Sequence, residues 1–204
     1  MLEEFYKYFE YASLILALLF YNKYKGYSFY KFFVIYLMNI LLFSFLAQTI
    51  FKNNNHELFN VYTFFEFNLI VLIYYHLIND KTAFKFLKIL AIAFNVIYFI
   101  SFYLLELKNY TVIIEGIVNS IFIVFFFKEL LNSEKILNYK KLLPFWVSVG
   151  LMLYYLTSVP YFLLIYFYKF PSKIGFSLLH SLIIVFHSCF IFGLITCKKT
   201  ESYL

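Results

Sequence analysis

The chain has 204 residues, 64% of them hydrophobic, 25% aromatic and only 14% charged, with a formal net charge of +6 and a mean hydropathy of +0.80. An ordinary soluble domain is roughly 45–50% apolar, so this composition excludes a water-soluble globular fold and puts the chain in a lipid bilayer. All 17 basic residues are Lys; with no guanidinium fork for bidentate anion binding, the positive charge reads as membrane topology and attraction to an anionic leaflet, not as nucleic-acid affinity.

The first ten residues, "MLEEFYKYFE", carry three Glu and one Lys, the reverse of a secretory leader, so no cleaved signal is expected. Seven apolar segments run at about 6–24, 29–51, 61–78, 86–105, 110–127, 145–168 and 174–196. Each is near the ~20 residues that a span requires. The first is the weakest, because Lys7 and Glu10 lie in its leading turn. Asn39 falls in the second, Glu66 and Asn68 in the third, Asn95 in the fourth, and Glu115 and Asn119 in the fifth. The connection at 128–143 is the one long enough for a helix along the membrane surface, with Leu130, Leu131, Leu137, Leu142 and Leu143 as its apolar face. Pro144 suits the first turn of the sixth span, and Pro160 within it is expected to kink the helix. The seventh span holds His180, His187 and Cys189. Cys197 lies eight residues beyond Cys189, ~12 Å along one helix and too far to bridge.

Twelve of the 17 lysines fall in segments facing one side, at 22–31, 79–88, 128–143 and 197–204. The positive-inside rule then predicts an outside N-terminus and a cytoplasmic C-terminus. The expected fold is an all-α integral membrane protein, a single bundle of seven transmembrane helices over residues 1–204.

Within that topology a few residues are costly to bury. At 1.5 Å per residue, Glu66 and Glu115 each lie ~7 Å below the outer end of their spans and His180 ~9 Å below the end of its own. Asn68 and Asn119 are slightly deeper, and Asn119 shares a helix face with Glu115. Asparagines in spans usually tie neighbouring helices together, whereas intramembrane carboxylates mark functional sites by default. Two carboxyls buried together cannot both ionise cheaply, so one of them is expected to hold its proton. The sequence therefore predicts a polar layer of Glu66, Glu115, His180, Asn68, Asn119 and Asn95, with the two carboxyls and the imidazole facing one cavity.

Several identities fail on spacing. A retinal Schiff base needs a lysine inside the last span, and none lies between Lys173 and Lys198. Seven-helix zinc hydrolases need clustered His with an intramembrane Asp; the one Asp here is Asp80, in a connection, and His180 and His187 are two turns apart. His76 and His187 lie at different depths, a poor fit to bis-His haem. Five Gly leave no Gly-rich nucleophile motif. No cofactor or metal is expected.

Four stretches, "VYTFFEF", "IIEGIVNSIF", "LLPFWVSVGLMLYY" and "LLHSLIIVFHSCF", occur in this order. Together they make residues 56–196 resemble an uncharacterised family of small bacterial seven-helix inner-membrane proteins. The resemblance implies a multi-pass protein of the bacterial inner membrane, of a kind found in some cases beside sensor kinases. It points to Glu66, Glu115, Trp146 and His180 and identifies no ligand.

Three functions fit these features. The first is a sensory or ligand-binding module with an outward-facing polar pocket for a small or lipidic ligand, signalling to a membrane-protein partner through its inner loops. The second is an accessory subunit of a larger membrane complex. The third is an intramembrane enzyme acting on a lipid or isoprenoid, with Glu66 or Glu115 as general acid/base and His180 as its partner.

Overall fold

In lipid every backbone N–H and C=O must be satisfied within the protein, which leaves helices as the choice for apolar segments of this length. The computed structural model describes residues 2–50, 56–104, 110–168 and 172–197, and all regular elements among them are helical. Seven long helices follow one another: α1 (Leu2–Leu19), α2 (Tyr30–Thr49), α3 (His56–Tyr75), α4 (Lys81–Ser101), α5 (Thr111–Leu131), α6 (Leu143–Tyr168) and α7 (Ser172–Thr196). A single helical turn, Tyr21–Tyr24, and a 3₁₀ helix, Glu134–Lys141, sit in two of the connections.

Six of these helices, α2 to α7, are long and apolar enough to cross a membrane. Their large apolar side chains also face outward, as on α4, where Ile89, Ile92, Val96 and Phe99 form an exposed stripe at helical spacing. α1 falls short of the seven expected, since Glu3, Glu4, Lys7 and Glu10 crowd its first half. It nevertheless has the height of the bundle. Lys7 donates to Gln48 at one end of α2 (2.9 Å) and Tyr30, at the other end, donates to the Ala17 carbonyl (2.7 Å).

The helices close a ring in the order α1, α2, α3, α5, α6, α7, with α7 packed back on α1. α4 stands outside it, against α3 and α5. The first and last helices run parallel in fixed register: Tyr6 stacks on His180 (centroids 4.5 Å apart), and seven residues on Ser13 meets His187 (2.8 Å). Across the ring interior α3 and α6 are tied twice, by Tyr74 to Ser148 (3.0 Å) and by Tyr155 to Glu66 (3.1 Å). Aromatic rings fill much of the remaining interior, among them Phe33 against Phe190, and Phe67 against Phe94 packs α4 onto the outside of the ring.

Two glycines let helices approach. A Cβ at Gly116 would lie 2.5 Å from Val159 Cγ2, so α5 meets α6 closely there. A Cβ at Gly193 would lie 2.7 Å from Trp146 Cβ, at the α6–α7 seam. Small residues of this kind are how membrane helices gain packing without a hydrophobic driving force between them.

Local chemistry moved some boundaries from their expected places. α4 starts at Lys81 because Asp80 caps it, its carboxylate accepting from the Thr82 N–H (2.8 Å). The 128–143 connection does not present one apolar face to the membrane surface. Leu130, Leu142 and Leu143 are buried against the bundle, while Leu131 and Leu137 are 66% and 83% exposed. The reason is that α5 runs on to Leu131 and a 3₁₀ helix follows, breaking the periodicity that a single amphipathic helix needs. Pro144 lies in the first turn of α6, and α6 continues through Pro160 to Tyr168.

Candidate functional site

Glu66 projects from α3 into the ring interior, 5% exposed. Two phenols from facing helices hold it: Tyr36 of α2 and Tyr155 of α6 both donate to Oε1, at 3.2 and 3.1 Å. The Tyr62 hydroxyl lies beside it from one turn up the same helix. Hydrogen bonds to an intramembrane carboxyl replace the water it would have outside, and without them its burial would cost several kcal/mol.

Glu115 faces it from α5. Its side chain is 2% exposed, and it lies within electrostatic range of Glu66. Tyr36, Tyr62, Tyr154 and Tyr155 all lie within range of both carboxyls. Asn119, one turn along α5 and fully buried, sits next to Glu115, yet neither its Nδ2 nor its Oδ1 reaches hydrogen-bonding geometry with a protein group. Glu115 Oε1 is likewise without a partner. The close α5–α6 contact at Gly116 brings the adjacent Glu115 and the Tyr154–Tyr155 pair to the same level.

A third carboxyl belongs to this layer. Glu10 of α1 is 5% exposed; the Ser44 hydroxyl of α2 lies beside it, and Oε2 has no partner. Ser44 Oγ accepts from Gln48 Nε2 (3.2 Å), which leaves the Ser44 proton for Glu10. Lys7 donates to the same glutamine and lies within range of Glu10. Tyr154 feels Glu10 as well as Glu66 and Glu115, so a line of polar groups runs from half-buried Lys7 to the central pair. In the sequence Glu10 counts only as a weakness of the first span. The signal was present all the same, as an acid at the same depth as the others on a helix otherwise fit for burial.

The structure thus brings together Glu66, Glu115 and Asn119 from the expected set and separates the rest. His180 does not face the carboxyls; it is half-buried and stacks on Tyr6 of α1. Its helix places it on the seam with α1, the same seam that His187 occupies two turns later. His187 is fully buried, 1% exposed, against Ser13 Oγ, which donates to the Glu10 carbonyl (2.9 Å). Asn68 and Asn95 form a reciprocal amide pair between α3 and α4 (3.1 and 3.3 Å), and each also donates to a carbonyl one turn back on its own helix. Two residues along a helix is a turn of about 200°, so Asn68 points out to α4 while Glu66 points in. Asn39 is buried with Nδ2 unpaired, and so is the Tyr161 hydroxyl.

Such unpaired atoms are expensive, at about 1–3 kcal/mol each, and three of them, Glu115 Oε1 and Asn119 Nδ2 and Oδ1, lie one helical turn apart on α5. The layer can accept donors at Glu115 and Asn119 and hold or release protons at three carboxyls. Among the described residues no three His, Cys, Asp or Glu gather in a metal-binding group. Cys197 is a packing thiol: it is 1% exposed, its Sγ lies 3.8 Å from the Lys140 carbonyl, and burial pushes its pKa up to about 11.

The chain matches no family model, no curated protein and no solved structure.

Proposed function

We propose that the chain is a membrane sensory module that binds a small hydrogen-bond-donating ligand in the ring interior, between Glu66, Glu115 and Asn119. The observation that carries this reading is an asymmetry between the two carboxyls. Glu66 is occupied by tyrosine hydroxyls, whereas Glu115 has only the Asn119 amide beside it, and Glu115 Oε1 and both polar atoms of Asn119 are buried without a partner in full hydrogen-bonding geometry. A purely structural network satisfies its members; this one is half satisfied, and beside Glu66 the unsatisfied atoms belong to Glu115 and Asn119 on one face of α5. An amine or a polyol supplies the missing donors.

In this reading α1 is the seventh span, the N-terminus is outside and the lysine-rich end is cytoplasmic, in the inner membrane of a bacterium. The line from Lys7 through Gln48, Ser44 and Glu10 is then the approach from outside. Ligand binding shifts the ring at α5 and α6, and the connections at the lysine-rich end pass that shift to a partner protein. The enzymatic alternative requires His180 beside a carboxyl, and the stacking of His180 on Tyr6 argues against that.

The test uses purified protein in lipid nanodiscs and thermal melts against a panel of small amines and polyols. A ligand is expected to raise Tm in the wild type and to lose that effect in Glu115→Leu and Asn119→Leu, both of which fold. Because the two side chains are unpaired without ligand, each leucine variant is expected to be as stable as wild type or up to about 2 kcal/mol more stable. If both variants instead melt well below wild type and no panel member shifts Tm, the layer is structural and the proposal fails.

A further inference from the structure

A second site lies on the outside of the ring, at the lysine-rich end of the α3–α4 pair. An apolar groove of about 170 Å³ runs between α3, α4 and α5, walled by Val71, Tyr74, Leu87, Ala91, Ile92 and Phe122. It opens into a wider recess of about 510 Å³ lined by Lys81, Lys85 and Lys88. Tyr75, Phe84 and Lys88 line both, so the two form one continuous channel from surface to bilayer depth.

The three lysines are exposed, and among the described residues none makes an ion pair, a hydrogen bond or a cation–π contact. The nearby acids are already engaged. Asp80 caps α4. Glu129 of α5 accepts from the Asn79 N–H (3.0 Å) and amide (3.1 Å) and from the Asp80 N–H (3.3 Å), which pins the α3–α4 turn and so fixes the shape of the recess. Lys88 lies seven residues into α4, ~10 Å from Lys81 along the axis, where the walls have turned apolar. A cationic recess with no protein counter-ion, continuous with an apolar slot that faces lipid, has the charge and polarity profile of an anionic phospholipid.

We propose that this channel holds an anionic phospholipid, with its phosphate on Lys81, Lys85 and Lys88 and one acyl chain along Leu87, Ala91 and Ile92. The head group bridges the start of α4 to the α3–α4 turn, and the chain fills the seam where α4 leans on the ring. This site is independent of the interior layer and stands or falls separately from it.

Native mass spectrometry of protein released from nanodiscs containing equal phosphatidylglycerol and phosphatidylcholine tests the assignment. Wild type is expected to retain phosphatidylglycerol in clear preference. K81Q/K85Q/K88Q is expected to lose about tenfold of that retention, while K135Q/K140Q/K141Q, on the 3₁₀ helix at the same end, keeps it. Ile92→Trp, which lays an indole across the slot from an exposed position, is expected to reduce retention with the lysines intact. All four proteins are checked for equal Tm. Equal retention of the two lipids, or equal loss from the two triple variants, overturns the site. Full retention by Ile92→Trp overturns the placement of the acyl chain.

Discussion

Tyr155 of α6 and Glu66 of α3, 89 residues apart in the chain, meet across the ring interior with the phenol donating to the carboxyl at 3.1 Å. Tyr36 donates to the same oxygen from the opposite side. This shared acceptor makes the two tyrosines interdependent. Tyr155→Phe or Tyr36→Phe alone leaves Oε1 one donor and is expected to cost about 1 kcal/mol. The double variant strips both and is expected to cost more than the sum of the singles. Glu66→Gln keeps an acceptor at that position and is expected to stay within about 1 kcal/mol of wild type, while Glu66→Leu strands two buried hydroxyls and costs about 2–4 kcal/mol. Unfolding titrations in mixed micelles measure all five. Leu no worse than Gln would remove the network from the account.

The α5–α6 seam gives a steric prediction. With only 2.5 Å between a Cβ at Gly116 and Val159 Cγ2, Gly116→Ala is expected to destabilise by about 1–3 kcal/mol through overpacking. Val159→Ala in the same chain removes the colliding methyl and is expected to recover most of that loss. A double variant no more stable than Gly116→Ala would show that the helices do not meet there.

Cys197 gives a pH prediction. The thiolate is the reactive form, and burial raises the pKa to about 11, above the ordinary thiol value. Alkylation in the folded protein is therefore expected to be slow at pH 7–8 and to rise only as the pH approaches that value, whereas the unfolded chain reacts about two pH units lower. Rate against pH in detergent, folded and in denaturant, reads this directly; matching profiles would contradict the buried placement.

Reporter fusions test the orientation. A reporter after Leu204 is expected to read cytoplasmic and one at Asn54 external. The same side for both would mean that one of the helices between them fails to cross.

Much of the bundle was legible because apolar run length is a one-dimensional signal. α2 and α5 to α7 begin within about two residues of their expected starts, and the burial of Glu66 with Glu115 followed from matched depth. Depth does not give azimuth, however. His180 has the right height but lies on the α1 seam, and Asn68 has the right height but the opposite face from Glu66. The tyrosines that hold Glu66 were invisible for another reason. With 21 Tyr in the chain, nothing local distinguishes Tyr36 and Tyr155 from those that only pack. Glu10 reads in the sequence as a charge against insertion of its own helix, because the group that makes it tolerable, the Ser44 hydroxyl, comes from α2.

The parallel register of α1 and α7 also has a meaning in time. Ser13 and His187 are separated by 174 residues, and synthesis at ~5–20 residues per second puts roughly 10–35 s between them. Throughout that interval the helix carrying Lys7 and Glu10 has α2 on one flank and nothing from this chain on the other. The ring is closed by α7, the last of its helices to be made. A nascent chain stalled before Ser172 presents an open crescent whose exposed lip is the most polar of the seven long helices described, the form on which membrane quality control would act.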